Sequence, residues 1–232
     1  MCGRFTIIPT IDFHERFGLP EGPAVIPRYN IAPGQDIPVV VATSGGNRLA
    51  TMTWGFIPPF ARDPAAGRPL INARAETILE KSSFRDAVRD HRCLVPASGF
   101  YEWKREGRRK VPFYLRLPAA PLFSFAGLYA TLRDPAGRDH ATFAIITTEP
   151  NRLVSGLHDR MPAILRQETE GDWLGPGPVT PAVLEGILSP YPAEEMEAFP
   201  VSGRVNDPEN DGPDLVRPLP GLENMIFSSL GD

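Results

Sequence analysis

Short stretches rich in β-branched and aromatic residues, several with alternating polar positions, run through most of the chain and predict β-strands. The predicted strands cover residues 37–43, 48–54, 99–104, 111–117, 122–129 and 142–148. Turn-forming residues at 44–47 and at 106–107 separate neighbouring strands, so we expect two hairpins there. The pattern therefore predicts a sheet whose strands are mostly antiparallel.

Helical periodicity is limited to a few segments. In residues 75–89 apolar side chains recur at helical spacing, which predicts one helix over that range. Shorter helices are predicted at residues 12–17 and at 181–188, where a proline follows Thr180. Hairpins with few helices predict a single α+β domain with a strongly curved, barrel-like, mostly antiparallel β core and short flanking helices.

Length and composition agree with a globular domain. The 232 residues fit one or two domains, and 42 % hydrophobic with 22 % charged residues exclude a disordered chain. We assign the domain to residues 1–203. Residues 204–232 are rich in Pro, Asp and Gly, and we expect them to pack on the surface or to fray.

The expected cellular location follows from the absence of a membrane-spanning or signal-peptide segment in the sequence. No apolar run approaches the roughly 20 residues that span a bilayer, and polar residues interrupt any signal-peptide core, so we expect a cytoplasmic protein with no membrane partner. The two cysteines, Cys2 and Cys93, exclude a disulfide framework and lack the spacing of a zinc site. We expect no metal or other cofactor, and a core position for Cys93.

The charge is unevenly distributed along the chain. The overall net charge is −4, yet residues 1–166 carry a net +7 and residues 167–232 a net −11. The cations are 21 arginines and 3 lysines, which suits phosphate recognition because the guanidinium fork matches phosphate oxygens. A GC-rich genome would also favour arginine codons, but it would not explain the positional split.

The start of the chain carries the most distinctive candidate chemistry. Methionine aminopeptidase removes Met1 when the second residue is small, which would leave Cys2 at the terminus. Its α-amine and thiol have ordinary pKa values of about 7.7–8.0 and about 8.5, so both are partly deprotonated near neutral pH. Such a pair reacts with an aldehyde to form a Schiff base and then a five-membered thiazolidine. The alternative is a buried cysteine without a chemical role.

Three further polar residues lie where acid–base chemistry is plausible. Asn72 lies where a strand passes into a helix, and His158 precedes a proline-led strand. Glu102 lies among aromatic residues on a strand, so we expect a raised pKa that suits general acid–base catalysis. Local sequence leaves alternatives open: a solvent-facing Glu102, and a helix-capping or core His158.

Eight segments of the sequence, spanning roughly residues 2–200, stand in the order expected of one family. They are Met-Cys-Gly-Arg-Phe at 1–5, Tyr-Asn-Ile-Ala-Pro at 29–33, Trp-Gly-Phe-Ile-Pro at 54–58, Asn-Ala-Arg-Ala-Glu-Thr at 72–77, Arg-Cys-Leu-Val-Pro-Ala at 92–97, Phe-Tyr-Glu-Trp at 100–103, Thr-Thr-Glu-Pro-Asn at 147–151 and His-Asp-Arg-Met-Pro at 158–162. Together they resemble the SRAP family, the SOS response-associated peptidases.

The resemblance implies a protein that recognises abasic sites in single-stranded DNA and shields them through a covalent DNA–protein crosslink. It assigns the crosslinking nucleophile to Cys2 and the positioning of its amine and the opened sugar to Asn72. It also assigns to Glu102 the proton transfers that form and reverse the linkage. His158 would donate a proton to the ring oxygen as the deoxyribose opens.

Candidate DNA-binding residues follow from the same resemblance and from aromatic residues interleaved with basic ones. They are Arg4, Pro33, Trp54, Phe60, Arg74, Trp103 and Arg160. The arginines would contact phosphates, Pro33 and Phe60 would form a wedge beside the lesion, and the tryptophans would suit a single-strand groove. Phe60 stands where the family usually has tryptophan, which bears on base stacking and not on the chemistry. We expect the protein to bind as a monomer.

Three other functions compete with the crosslinking hypothesis. An N-terminal-nucleophile amidohydrolase also begins with cysteine, but it usually needs an Asn-Gly pair, and none of the seven asparagines precedes glycine. A self-processing cysteine peptidase, as the family name suggests, would release Cys2, yet only Met1 precedes it. The last alternative is a DNA-binding module without catalytic activity.

Overall fold

The computed structural model describes residues 2–61, 69–134, 136–177, 179–219 and 221. Its strands are β1 (Phe5–Ile7), β2 (Arg28–Ile31), β3 (Asp36–Thr43), β4 (Gly46–Trp54), β5 (Asn72–Arg74), β6 (Arg92–Ala97), β7 (Gly99–Glu106), β8 (Arg109–Arg116), β9 (Phe123–Arg133), β10 (Asp139–Thr148), β11 (Met161–Pro162), β12 (Ile164–Leu165) and β13 (Glu197–Pro200). Its α-helices are α1 (Phe13–Arg16), α2 (Arg85–Asp90), α3 (Arg152–Ser155), α4 (Glu170–Leu174) and α5 (Pro181–Ile187). Short 3-10 helices cover Ala75–Thr77, Gln167–Thr169, Ala193–Glu195, Gly203–Asn206 and Pro213–Val216.

Five strands close into a barrel. Around it β10 pairs with β4, β4 with β3, β3 with β6, β6 with β9, and β9 again with β10. Every pair in this ring is antiparallel except β10–β4, which is parallel. The predicted α+β fold with a curved, mostly antiparallel, barrel-like core is therefore confirmed.

A second antiparallel sheet lies beside the barrel in the order β13-β8-β7-β1-β2. Strand β7 belongs to two hydrophobic clusters at once, because successive side chains of a strand point to opposite faces. Phe100 packs in the large cluster that fills the barrel, whereas Tyr101 packs in a smaller cluster with Tyr114 and Phe199. Both faces of β7 are thus covered by apolar side chains near its start.

The predicted strands are confirmed with small extensions, and both predicted hairpins are present as β3–β4 and β7–β8. The predicted helices at 12–17 and 181–188 correspond to α1 and α5, and Asp12 and Thr180 cap their N-termini. Cys93 lies in the core, as expected. No helix within the described ranges is long and apolar enough to cross a membrane.

The single helix predicted at residues 75–89 is wrong. The segment forms a 3-10 helix, a series of turns and then α2, and the Thr77 carbonyl accepts hydrogen bonds from the N–H groups of both Glu80 and Lys81. Ile78 and Phe84 are buried although no continuous helix connects them. Two serines at 82 and 83 are weak helix formers, and packing on the barrel fixes the apolar side chains without them.

Residues 204–219 follow the proposed end of the domain at residue 203 and remain close to the domain. Their two 3-10 helices bury Val205 and Leu215 completely in the smaller hydrophobic cluster. The fully buried Asn30 of β2 donates hydrogen bonds to backbone carbonyls of this segment, those of Val205, Asp207 and Asn210. The boundary at residue 203 stays a prediction, and residues 222–232 lie outside the described ranges.

Candidate active site

Cys2 lies beside β7 because of the register of β1. Phe5 pairs with Phe100, and the Tyr101 N–H donates to the Arg4 carbonyl at 3.0 Å, which aligns the preceding residues with the middle of β7. The Cys2 side chain is completely buried. Burial, reinforced by the negative charge of Glu102, raises the pKa of the Cys2 thiol, so this thiol needs a base before it can act as a nucleophile.

Asn72 contacts the backbone of the candidate nucleophile directly. Its Nδ2 donates a hydrogen bond to the Cys2 carbonyl at 3.0 Å. Parallel pairing of β5 with β10, which aligns Asn72 with Ile145, fixes the position of the side chain. Asn72 Oδ1 is buried without a hydrogen-bond partner among the described residues. A buried amide oxygen of this kind is an acceptor suited to a hydroxyl or an amine of a ligand.

Glu102 lies on β7 with only 2 % of its surface exposed, which contradicts the solvent-facing alternative. Burial raises the pKa of its carboxyl group from the ordinary 4.5 to about 7. The protonated and ionised forms of Glu102 are therefore both populated near neutral pH. A group that accepts and donates protons during catalysis needs both forms. The charge of Glu102 also reaches the Cys2 thiol and helps to raise its pKa.

His158 lies between α3 and β11, at the end of β10 where β5 also pairs. Its Nδ1 accepts a hydrogen bond from the Arg160 N–H at 3.0 Å, so the neutral ring carries its proton on Nε2. Nδ1 is also 2.7 Å from Oδ1 of the exposed Asp159, which can accept from the ring once it is protonated. Burial lowers the pKa of His158, making its imidazolium a stronger acid.

A groove of about 480 Å³ contains Glu102 and His158. Its lining residues are Glu102, Trp103, Arg105, Lys110, His158 and Asn206. Trp103 Nε1 donates to Asn206 Oδ1 at 2.8 Å, which holds the start of the C-terminal segment against β7. Within the described ranges, no three His, Cys, Asp or Glu side chains lie close enough to hold a metal ion.

Arg105, Lys110 and Asn206 line the groove, although the sequence motifs did not predict them there. Arg105 and Lys110 belong to a run of basic residues in the β7–β8 hairpin, and that run was a signal in the sequence. Asn206 had no such signal, because it reaches the groove through a contact between residues 103 positions apart.

Two of the predicted phosphate-binding arginines are engaged within the protein. The Arg4 guanidinium donates to Asn30 Oδ1 and to the Val205 carbonyl, both at 2.9 Å. Arg160 forms a bidentate pair with Glu76 at 2.7 and 2.9 Å and also donates to the Thr147 carbonyl.

Arg160 has a buried Nε without a hydrogen-bond partner among the residues described. Arg74, in contrast, is exposed. Contacts of these arginines with phosphates remain predictions.

Trp54 is a correction to the predicted DNA-binding set. Its side chain is completely buried, its Nε1 donates to the Ile71 carbonyl at 2.9 Å, and its ring stacks on Phe143. A side chain so enclosed cannot stack on a base, so Trp54 is a core residue. Pro33 is exposed and Phe60 is 64 % exposed, which leaves both available for the predicted wedge.

Comparison with known proteins points to one family. The chain is 46 % identical over 222 residues to the abasic site processing protein YoqW of Bacillus subtilis strain 168, covering 93 % of this chain and 99 % of that protein. It is 31 % identical over 229 residues to the abasic site processing protein YedK of Escherichia coli K12, covering 94 % and 100 %.

Structural comparison gives the same picture. A crystal structure of a protein from Bacteroides thetaiotaomicron matches with a TM-score of 0.75 and 34 % identity, covering 82 % of this chain and 85 % of that one. The profile described as "SOS response associated peptidase (SRAP)" matches residues 1–208. The resemblance found in the sequence motifs is therefore confirmed, and the chain belongs to the SRAP family.

Proposed function

We propose that this protein recognises abasic sites in single-stranded DNA and captures them through a thiazolidine at Cys2, after removal of Met1. The observation that carries the proposal is the grouping of Cys2, Asn72 and Glu102. Asn72 holds the Cys2 carbonyl, and the Glu102 carboxylate is close enough to raise the pKa of the thiol. The names of the relatives YoqW and YedK support abasic sites as the substrate.

The first step is opening of the abasic sugar, which exists mainly as a closed hemiacetal. The C1′ hydroxyl loses its proton to water, the bond between C1′ and the ring oxygen breaks, and the ring oxygen takes a proton. The His158 imidazolium supplies that proton, because its lowered pKa makes it a stronger acid than ordinary histidine. The product is a free aldehyde at C1′.

The second step joins the aldehyde to the terminal residue. The Cys2 amine adds to C1′, and loss of one water gives an imine. The thiol sulfur then attacks the same carbon, and the thiol proton passes through the Glu102 carboxylate to the nitrogen. Aldehyde and aminothiol thus become thiazolidine and water, with no change of oxidation state. The imine no longer promotes β-elimination, so the DNA strand stays intact.

Single-stranded DNA is the proposed partner because the exposed Pro33 and Phe60 need an unstacked neighbouring base as a wedge. A duplex keeps its bases stacked and its backbone stiff. The protein would act as a monomer in the cytoplasm, wherever DNA exposes a single strand.

The adduct itself is the direct test. Purified protein is mixed with a labelled single strand containing one abasic site, heated in detergent and resolved on a denaturing gel. We expect a covalent adduct whose mass equals the protein without Met1 plus the DNA, minus one water. Cys2→Ala should abolish it, and Cys93→Ala, which removes the other cysteine of the chain, should not. Failure of wild type to form the adduct, or its formation by Cys2→Ala, would refute the proposal.

The ring-opening role of His158 is tested by comparing two substrates. His158→Ala should slow crosslinking to a natural abasic site at least tens-fold, because general acid–base groups typically contribute ~10²–10⁴-fold. An open-chain aldehyde analogue bypasses the step and should react almost normally. The wild-type rate on the closed sugar should fall as pH rises through the lowered pKa of His158. Equal defects on both substrates would remove His158 from ring opening.

A further inference from the structure

The tip of the β7–β8 hairpin is the most strongly basic segment next to the groove. Of the seven residues from 104 to 110, five are Lys or Arg and one is acidic. The turn passes through Gly107, whose φ of +63° suits glycine, and the residues from 105 to 110 are exposed. The fold therefore holds a compact group of cations on one rigid hairpin.

The register of the hairpin brings like charges together. Arg105 pairs directly with Lys110 across the two strands, an arrangement that destabilises a hairpin unless an anion lies between them. Among the described residues, Lys104 pairs with Glu106 at 3.7 Å, and no ion pair involves Arg105 or Lys110. Many exposed arginines elsewhere do pair with carboxylates at 2.8–3.0 Å. They include Arg116, Arg133, Arg138, Arg166 and Arg204.

The paired cations lie on the same side of the hairpin as an aromatic ring. Trp103 precedes Arg105 by two residues, so their side chains share one face of β7 at a distance of about 7 Å along the strand. Trp103, Arg105 and Lys110 also line the groove that contains Glu102 and His158. An aromatic ring followed by unpaired cations is the combination that binds bases and phosphates of a single strand.

We propose that Arg105 and Lys110 form a second DNA subsite, which holds backbone phosphates beyond the nucleotide next to the lesion, while Trp103 supports the base of that nucleotide. This inference rests on the proposed function and extends it from the lesion to the flanking strand. The alternative occupant of such a basic face is an acidic polypeptide, which the experiment below separates from DNA.

The test compares wild type with a double variant, Arg105→Gln and Lys110→Gln. The matched control is Arg133→Gln with Arg138→Gln, which removes two exposed charges elsewhere. A cooperative unfolding transition in each of the three proteins confirms that each is folded. Affinity for an undamaged single strand is measured between about 50 and 200 mM salt. Crosslinking rates are measured on an abasic trinucleotide and on a long abasic strand.

Each phosphate contact on a single strand contributes about 0.7 to the slope of log affinity against log salt. Loss of two contacts should lower the slope by about 1.4, so wild type should lose about sevenfold more affinity than the double variant across that salt range. Crosslinking to the long strand should slow at subsaturating protein, whereas the trinucleotide should react as with wild type. The control variant should match wild type in every measurement.

A wild-type slope in the double variant would overturn the inference and leave the proposed function intact. Polyglutamate serves as a probe for an acidic polypeptide. If the double variant keeps the wild-type salt slope on DNA but no longer binds polyglutamate, the surface formed by Arg105 and Lys110 binds an acidic polypeptide instead of DNA. If wild type forms no adduct on either substrate, the proposed function fails, and the salt slopes still decide whether the hairpin binds DNA. The two hypotheses therefore fail separately.

Discussion

Glu102→Gln should make the protein more stable at alkaline pH. Burial raises the pKa of the Glu102 carboxyl from 4.5 to about 7. Below pH 4.5 the carboxyl group is protonated in both the folded and the unfolded chain. The contribution of the neutral carboxyl to the free energy of unfolding is then fully present. As pH rises from 4.5 to about 7, the unfolded chain gives up this proton while the folded chain still holds it, so stability is lost, and the loss is complete once pH passes about 7. At about 1.4 kcal/mol for each pH unit, the loss reaches about 3 kcal/mol above neutral pH.

Urea unfolding of wild type and Glu102→Gln at pH 5 and pH 8.5 measures this effect. Glutamine keeps the shape of the side chain but cannot ionise, so its stability advantage should be small at pH 5 and grow by about 2–3 kcal/mol at pH 8.5. Glu106→Gln, at an exposed position on the same strand, is the matched control and should show little change at either pH. An advantage of equal size at both pH values would refute the reasoning.

A positive result would mean that the carboxyl group is kept at a cost to stability. Such a cost is typical of residues retained for chemistry, because active sites often give up stability for activity. The variant that folds best at alkaline pH should accordingly be the one that crosslinks poorly.

Three further predictions concern the site and its support. Asn72→Ala removes the hydrogen bond to the Cys2 carbonyl, so adduct formation on a denaturing gel should slow at least about tenfold, while affinity for undamaged DNA stays within about twofold. Trp54→Phe should lower the free energy of unfolding by about 1–3 kcal/mol and leave DNA affinity unchanged; a selective loss of DNA binding would contradict its assignment to the core. Arg92→Met should cost about 3 kcal/mol or more in thermal or urea unfolding. Its guanidinium donates to backbone carbonyls at the ends of α2 and α4, and an unchanged melting temperature would show that those bonds contribute nothing.

The strands could be predicted from the sequence because alternation is a local property. Short turns in the sequence predict the β3–β4 hairpin of the barrel and the β7–β8 hairpin of the second sheet. The prediction of one helix at 75–89 was wrong because periodicity cannot distinguish one continuous helix from two short helices joined by turns that bury the same side chains, such as Ile78 and Phe84. In that segment packing on the barrel overrides local helical preference.

The sequence motifs indicated which residues of the candidate site lie together, and the roles assigned to those residues stay predictions. Cys2, Asn72 and Glu102 come together as the motifs suggest. The predicted DNA-binding role of Trp54 was wrong because a tryptophan in a sequence is as typical of a hydrophobic core as of a binding surface. The internal partners of Arg4 could not be predicted, since Val205 lies 201 residues away and only the fold brings it close.

The position of β7 between two hydrophobic clusters affects how the protein crosslinked to DNA could be removed by proteolysis. The strand pairs with β1 on one side and with β8 on the other, so its amides are protected by two ladders. Local opening of β7 would disrupt both clusters, and its free energy should approach that of global unfolding. Amide hydrogen exchange at Phe100 and Tyr101 should therefore be among the slowest in the protein. A protease could not cut this strand through local fluctuations, so removing the protein from DNA by proteolysis would require pulling the domain apart.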